Sequence, residues 1–144
     1  MIAAVFDTNV VVSGILVPGG PPGRILDAIL NGCCRPVLTD GILAEYEDVL
    51  RRPKFRFPSG DVQFLLDAIR ACALLAPYAP FPLKGHLPDP DAIIFLEAAK
   101  ALGVPLVTGH NKHFPREAVG RISVLTPAAF LHALANAPDG YTPN

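Results

Sequence analysis

The amino-acid sequence predicts an α/β fold: a three-layer α/β/α sandwich with a mainly parallel central sheet. Three observations lead there. Short apolar runs of strand length alternate along the chain with segments whose apolar residues recur at helical spacing. The first of these runs, Ile2 to Phe6, is apolar throughout and stops at Asp7, as expected of a buried strand that delivers a carboxylate to its C-terminal end. Gly and Pro punctuate the joins. Alternation of this kind implies a parallel sheet covered on both faces, with function at the carboxyl edge of the strands.

Taken in order, Ile2 to Phe6 is the first strand, and PGGPPG at 18 to 23 reads as a loop. Arg24 to Leu30 follows as a helix, with Ile25, Ala28 and Ile29 on one face and Asn31-Gly32 as its stop. Val37-Leu38 marks a brief second strand. Thr39 or Asp40 caps a helix that carries Ile42, Leu43, Tyr46, Val49 and Leu50 and ends before Pro53. Asp61 to Ala73 is helical again. The Pro-rich segment from Leu74 to Pro88 is an extended connection around a short strand at Leu74 to Ala76. A helix resumes near Asp91, with Phe95, Ala98, Ala99 and Leu102 at i, i+3, i+4, i+7, and Gly103 stops it before a strand at Val104 to Thr108. Ile122 to Leu125 is the last strand, and Thr126-Pro127 supplies an N-cap and a first-turn proline for a closing helix.

Length and composition set the bounds. A chain of 144 residues suits one domain, expected over residues 1–137 with a frayed tail at 138–144. Half its residues are hydrophobic and few are charged, far from the composition of disordered chains. The opening MIAAVFDTNV has no basic start, and Asp7 interrupts its apolar run, so the expected location is cytoplasmic. No apolar stretch approaches the ~20 residues that span a bilayer. Cys33, Cys34 and Cys72 have neither CxxC spacing nor nearby His pairs, which leaves buried or inert thiols. A net charge of −1 gives no whole-molecule attraction to nucleic acid, so any RNA contact is local. Arg51, Arg52, Lys54 and Arg56 cluster with Phe55 and Phe57, which fits either a phosphate-contacting patch with stacking rings or a helix end whose cations complement its dipole.

The acids gain meaning from that placement. Asp7 ends the first strand, Glu45 and Glu47 lie on the helix after the second, Asp89 and Asp91 open a later helix, and His110-Asn111 follow the strand ending in Thr108. All can converge on one sheet edge. Several carboxylates brought together repel unless protonated or neutralised, and hard cations such as Mg²⁺ take oxygen ligands. Metal-assisted phosphodiester hydrolysis is the chemistry such a cluster suits. Periodicity does not choose between Glu45 and Glu47, because they flank opposite borders of the apolar arc.

VFDTNVVVSG at 5 to 14, ILAEYEDVLRRPKF at 42 to 55, LPDPDAIIFLEAA at 87 to 99, LVTGHNKHFP at 106 to 115 and VLTPAAFL at 124 to 131 together resemble the PIN-domain family, especially its toxin-like, VapC-type ribonuclease branch. The resemblance runs along nearly the whole chain and implies a PIN-like sandwich. It implies Asp7, Glu45 and Asp91 as catalytic metal ligands for Mg²⁺ or Mn²⁺, brought within about one coordination sphere. Asn9, Asp89, Thr108, His110 and Asn111 are then supporting residues, with Asp89 as second candidate ligand or helix cap. Arg51, Arg52, Lys54, Arg56 and Lys112 are the basic candidates for RNA contact. The family likeness also implies an RNA substrate, a cognate antitoxin protein and a homodimer.

Two positions depart from the branch. Ala92 stands where Asp-Pro-Asp-Asp has its last acid, and His110 stands where an Asp or Asn commonly follows Thr-Gly. The expectation is one dependable metal site, a weak second one and slow cleavage. The competing reading is a catalytically weak or inactive PIN domain that binds RNA or protein. A haloacid-dehalogenase phosphatase would need a second Asp where Asn9 stands, and a response-regulator receiver would need an acidic pair, a central Asp and a later Lys that the chain lacks.

Overall fold

The computed structural model describes residues 2–137. The N-terminal apolar run forms β1 (Ala3–Phe6), and the chain turns at Asp7 into α1 (Thr8–Leu16), a helix not foreseen from the sequence. Its run of β-branched valines reads as strand, and Val10, Val11 and Val12 are all buried, so no polar face reveals its helical period. The segment 18–23, expected as loop, is loop only in part: α2 (Pro21–Leu30) starts inside it. Pro21 and Pro22 occupy the first turn, where a missing N–H costs nothing and a fixed φ already suits the helix.

Next come β2 (Arg35–Leu38) and α3 (Asp40–Leu50), whose N-cap is Thr39: its hydroxyl accepts from the Ile42 amide at 3.1 Å. A single 3₁₀ turn at Pro53–Phe55 leads to α4 (Ser59–Cys72) and the two-residue β3 (Leu74–Leu75). A second 3₁₀ turn, Pro90–Ala92, opens α5 (Ile93–Leu102), which Gly103 ends with φ of 64°. The last elements are β4 (Leu106–Val107), α6 (Arg116–Val119), β5 (Val124–Leu125) and α7 (Pro127–Ala135), capped by Thr126 as its sequence predicts. Strands β4 and β5 are shorter than expected from their apolar runs, although Pro105 and Thr108 still bond to neighbouring strands. The short helix α6 was not foreseen. The expected frayed tail at 138–144 lies outside the described residues.

All four strand pairings are parallel, in the order β3-β2-β1-β4-β5. The helices cover this sheet to give the predicted α/β/α layering. From β1 the chain steps to β2 and β3 on one side, then returns across the sheet to β4 and β5 on the other. With right-handed crossovers, that reversal puts the two sets of connecting helices on opposite faces. It also makes the gap between β1 and β4 the topological switch point, where connections diverge and leave a crevice at the strands' carboxyl ends.

The core fills both faces of the sheet, with Phe6, Tyr46, Leu96 and Phe130 among its fully buried side chains. Phe6 and Phe130 meet edge to face at 5.3 Å. Helices α1 and α2 approach so closely that a Cβ on Gly14 would lie 2.6 Å from Leu26. Cys34 is buried and its thiol is pushed up to about 12, by burial first and then by Cys33 and Cys72, so it is an inert thiol as expected.

Candidate active site

Two strand ends meet at the switch point. Phe6 pairs with Val107, so Asp7 and Thr108, each the next residue, leave the sheet side by side. The Asp7 amide bonds the Val107 carbonyl at 2.9 Å and the Thr108 amide bonds Leu125 at 3.0 Å, so both backbones are fixed before their side chains are considered. Thr108 is fully buried and Asp7 is 8% exposed.

One oxygen of Asp7 is held by two donors. The Thr108 hydroxyl donates to Oδ2 at 2.8 Å and the Asn9 amide donates to the same oxygen at 3.0 Å. Asn9 Oδ1 in turn accepts from the Gly109 amide at 3.1 Å, and Thr108 Oγ1 accepts from the His110 amide at 3.1 Å. Asn9 therefore clamps the first turn of α1 to the loop after β4. The Asp7 side chain makes no capping bond to α1, although its residue occupies the N-cap position. Burial raises its pKa; the Thr108 hydrogen bond, the Thr8 amide and the nearby His113 and His110 pull it back in part. Thr8 Oγ1 is buried beside it without a partner among the described residues.

Glu45 is half-buried on α3. Its carboxyl is also raised, first by burial and then by the negative charges of Asp48, Asp89 and Asp7, with Arg52 opposing. Glu45 and Asp7 thus lie within electrostatic reach of one another. Glu47, the other acid left open by periodicity, turns to the opposite side and bonds Arg51 at 3.1 Å. Tyr46 sits between them, fully buried, and its hydroxyl donates to the Phe6 carbonyl. That bond ties α3 to the end of β1 and sets where Glu45 stands. In the sequence Tyr46 reads only as one more apolar helix position, so this positioning role was missed; a phenol on a core face, which needs a partner for its hydroxyl, was the available signal.

Asp89 and Asp91 are both exposed, at the 3₁₀ turn that opens α5, and the charge of Asp89 acts on Glu45. Asp89 also caps that turn, its Oδ1 accepting from the Asp91 amide at 3.0 Å. The expected coordination sphere of Asp7, Glu45 and Asp91 is not formed by the side chains as they stand: among the described residues no three His, Cys, Asp or Glu groups are near enough to hold a metal ion together.

The donor chemistry nonetheless fits a hard divalent cation. Carboxylate, hydroxyl and amide oxygens are the ligands such ions take, and two carboxyls pushed upward by burial carry negative charge that a cation would relieve.

The basic segment divides. Arg51 is committed to Glu47, Ser59 and Gln63, on the side of α3 that faces α4. Arg52 bonds Asp48 at 3.1 Å yet its charge reaches Glu45, so it borders the acidic face. Phe55 and Phe57 stack on each other at 5.4 Å and pack against the core, with Lys54 over Phe55 at 5.0 Å. These rings are structural first. Arg56 holds the left-handed turn after them, with φ of 55°. Lys112 lies elsewhere, with His110, Asn111 and His113 in the loop after β4, where together with Gly109, Thr126 and Pro127 they line a cleft of about 490 Å³. From the sequence His110 and His113 read either as a proton relay or phosphate contacts or as ordinary exposed loop histidines, and both are exposed here.

No helix among the described residues is long and apolar enough to cross a membrane. No curated protein and no solved structure matches the chain at a significant level. The sequence profile described as the PIN domain matches residues 3–113, a span that contains β1 through β4 and every acid considered above. With well over half of its length matched and the expected parallel sandwich in place, the chain belongs to the PIN-domain family, whose members are typically nucleases.

Proposed function

We propose that this PIN domain is a Mg²⁺- or Mn²⁺-dependent endoribonuclease that hydrolyses RNA phosphodiester bonds. Asp7, Glu45 and the Asp89-Asp91 pair are the acids that would hold the ion. The observation that carries the reading is Asp7: a carboxylate buried at the switch point, oriented by Thr108 and Asn9, and facing a second raised carboxyl on α3. A structural capping role leaves that arrangement unexplained, since Asp7 makes no side-chain capping bond to α1.

A divalent ion bound there supplies a stronger water nucleophile and neutralises charge growing on the phosphate. The chain's own residues do the rest. Thr108 and Asn9 both donate to Oδ2, which anchors the Asp7 carboxylate at the strand end. Tyr46 holds α3 against β1, so Glu45 keeps its distance from Asp7 while substrate enters. Arg52 at the border of the acidic face offsets part of its negative charge toward an incoming polyanion.

The likeness to the VapC-type branch supports a toxin of a toxin-antitoxin pair, held inactive by a cognate antitoxin and working as a homodimer. His110, at a position that is commonly Asp or Asn in that branch, favours a second reading in which the domain is catalytically weak and binds RNA or protein instead. Cleavage of a mixed single-stranded RNA pool separates the two. The nuclease reading expects products with Mg²⁺ or Mn²⁺ that vanish on adding EDTA and return with excess metal. Folded protein that binds the pool but leaves it intact with either ion supports the binding module.

A further inference from the structure

The loop after β4 carries chemistry that the acidic site does not use. Between His110, Asn111, Lys112 and His113 on one side and the start of α7 at Thr126-Pro127 on the other lies the 490 Å³ cleft, a size within the ~300–1,000 Å³ of small-ligand pockets. The imidazoles of His110 and His113 stand 5.0 Å apart with their planes tilted by 41°, and Pro127 adds a third ring to the lining. All four loop side chains are exposed. Lys112 brings a fixed positive charge.

The cleft lies close to Asp7. The His110 amide bonds Thr108 Oγ1, and that hydroxyl bonds Asp7 Oδ2, so two hydrogen bonds separate the cleft backbone from the candidate ligand. Both histidines are close enough for their charge to act on Asp7. Gly109, between Thr108 and His110, puts no side chain in the passage. Flat rings beside a cation, next to a phosphate-cleaving centre, match the two halves of a nucleotide: a base with π faces and an anionic phosphate. An apolar ligand would leave Lys112 and the imidazoles without partners.

We propose that this cleft seats one unpaired nucleotide of the RNA beside the scissile phosphate, its base stacked on His113 or His110 and its phosphate near Lys112. The proposal rests on the ribonuclease reading for its substrate and adds a restriction to it. A base enters such a cleft only when it is free of its own stack and partner, so the nucleotide seated there is unpaired, and a fully paired helix binds less well.

Binding is measured in EDTA, without turnover, using a short single-stranded oligoribonucleotide that carries 2-aminopurine, whose fluorescence falls when its base stacks. The expected result is quenching on binding and much weaker affinity for the same sequence in a duplex. His113→Ala, at an exposed position, should weaken binding by roughly 5- to 150-fold, the range of one base stack, and His110→Ala should do the same if its ring is the platform. At least one of them should also abolish the quench. At that position Phe should restore both affinity and quench, and Lys should not. Unchanged affinity and quench in both alanine variants, equal binding of duplex, or full rescue by Lys would overturn the proposal. The nuclease reading fails separately: protein that binds and quenches but never cleaves with Mg²⁺ keeps the cleft and loses the enzyme. Cleaving protein whose binding ignores both histidines does the reverse.

Discussion

A buried carboxylate is unfavourable in its charged form, and Asp7 is held at the strand end by only two side-chain donors and a neighbouring amide. Its pKa lies above the ordinary aspartate value, so the folded chain binds a proton more tightly than the unfolded one. Stability contributed by that proton is present at low pH and lost as pH rises through the unfolded and then the raised folded value. Metal-free Asp7→Asn should therefore unfold at the same or a higher temperature than the parent at neutral pH, as read by a thermal melt. Because protons compete with metal for Asp7 and Glu45, the Mg²⁺ concentration for half-maximal cleavage should climb as pH falls through their raised values. Thr108→Val removes the donor that lowers Asp7 most, so that climb should begin at higher pH, and cleavage should drop by roughly 10–100-fold with the fold intact, the usual cost of losing an outer partner of a metal ligand. At this scale the sequence was informative where a motif was local. Asp7 and Thr108 meet at neighbouring strand ends, and Asn9, named through the family resemblance, bonds Asp7 from the first turn of α1. The choice between Asp89 and Asp91 was not legible, since the two stand two residues apart at one turn and both are exposed.

Helix α2 packs closely on the turn that leads into it. Gly23 lies against the backbone of Pro18, where an added Cβ would sit 2.1 Å from the carbonyl oxygen. Gly23→Ala should thus destabilise the fold by about 1–3 kcal/mol, measured by urea denaturation, because backbone must shift to admit it. Tyr46→Phe should cost a similar ~1–3 kcal/mol by stranding the buried Phe6 carbonyl, and should lower cleavage further by freeing α3 from β1. A stability loss with unchanged cleavage per folded molecule would show that Tyr46 does not position Glu45. Amphipathic helices such as α3 and α5 were legible because one face stays polar. Helix α1 was not, since its apolar residues lie on several sides and its valines favour strand in isolation. The start of α2 was hidden for a different reason: Pro-Pro signals a turn and a helix N-terminus equally well.

Across the whole molecule, one feature of chain order creates the site. Strand alternation foretold a parallel sheet, but the order β3-β2-β1-β4-β5 depends on pairings between residues a hundred positions apart, which local pattern does not encode. That order places the end of β1 beside the end of β4, and α3 then brings Glu45 to the same edge. With a net charge of −1 and acids at its centre, the domain has no global attraction for RNA, so on the proposed reading contact would fall to Arg52 and the Lys112 loop. The most direct test is the rate at which wild type and Asp7→Asn cleave the same single-stranded RNA pool in Mg²⁺, with the melting temperature of each recorded alongside. A loss of cleavage of at least ~100-fold, beyond the usual range for an outer partner, with an undiminished melting temperature is the predicted result. Equal cleavage by both proteins would contradict a nuclease centred on Asp7.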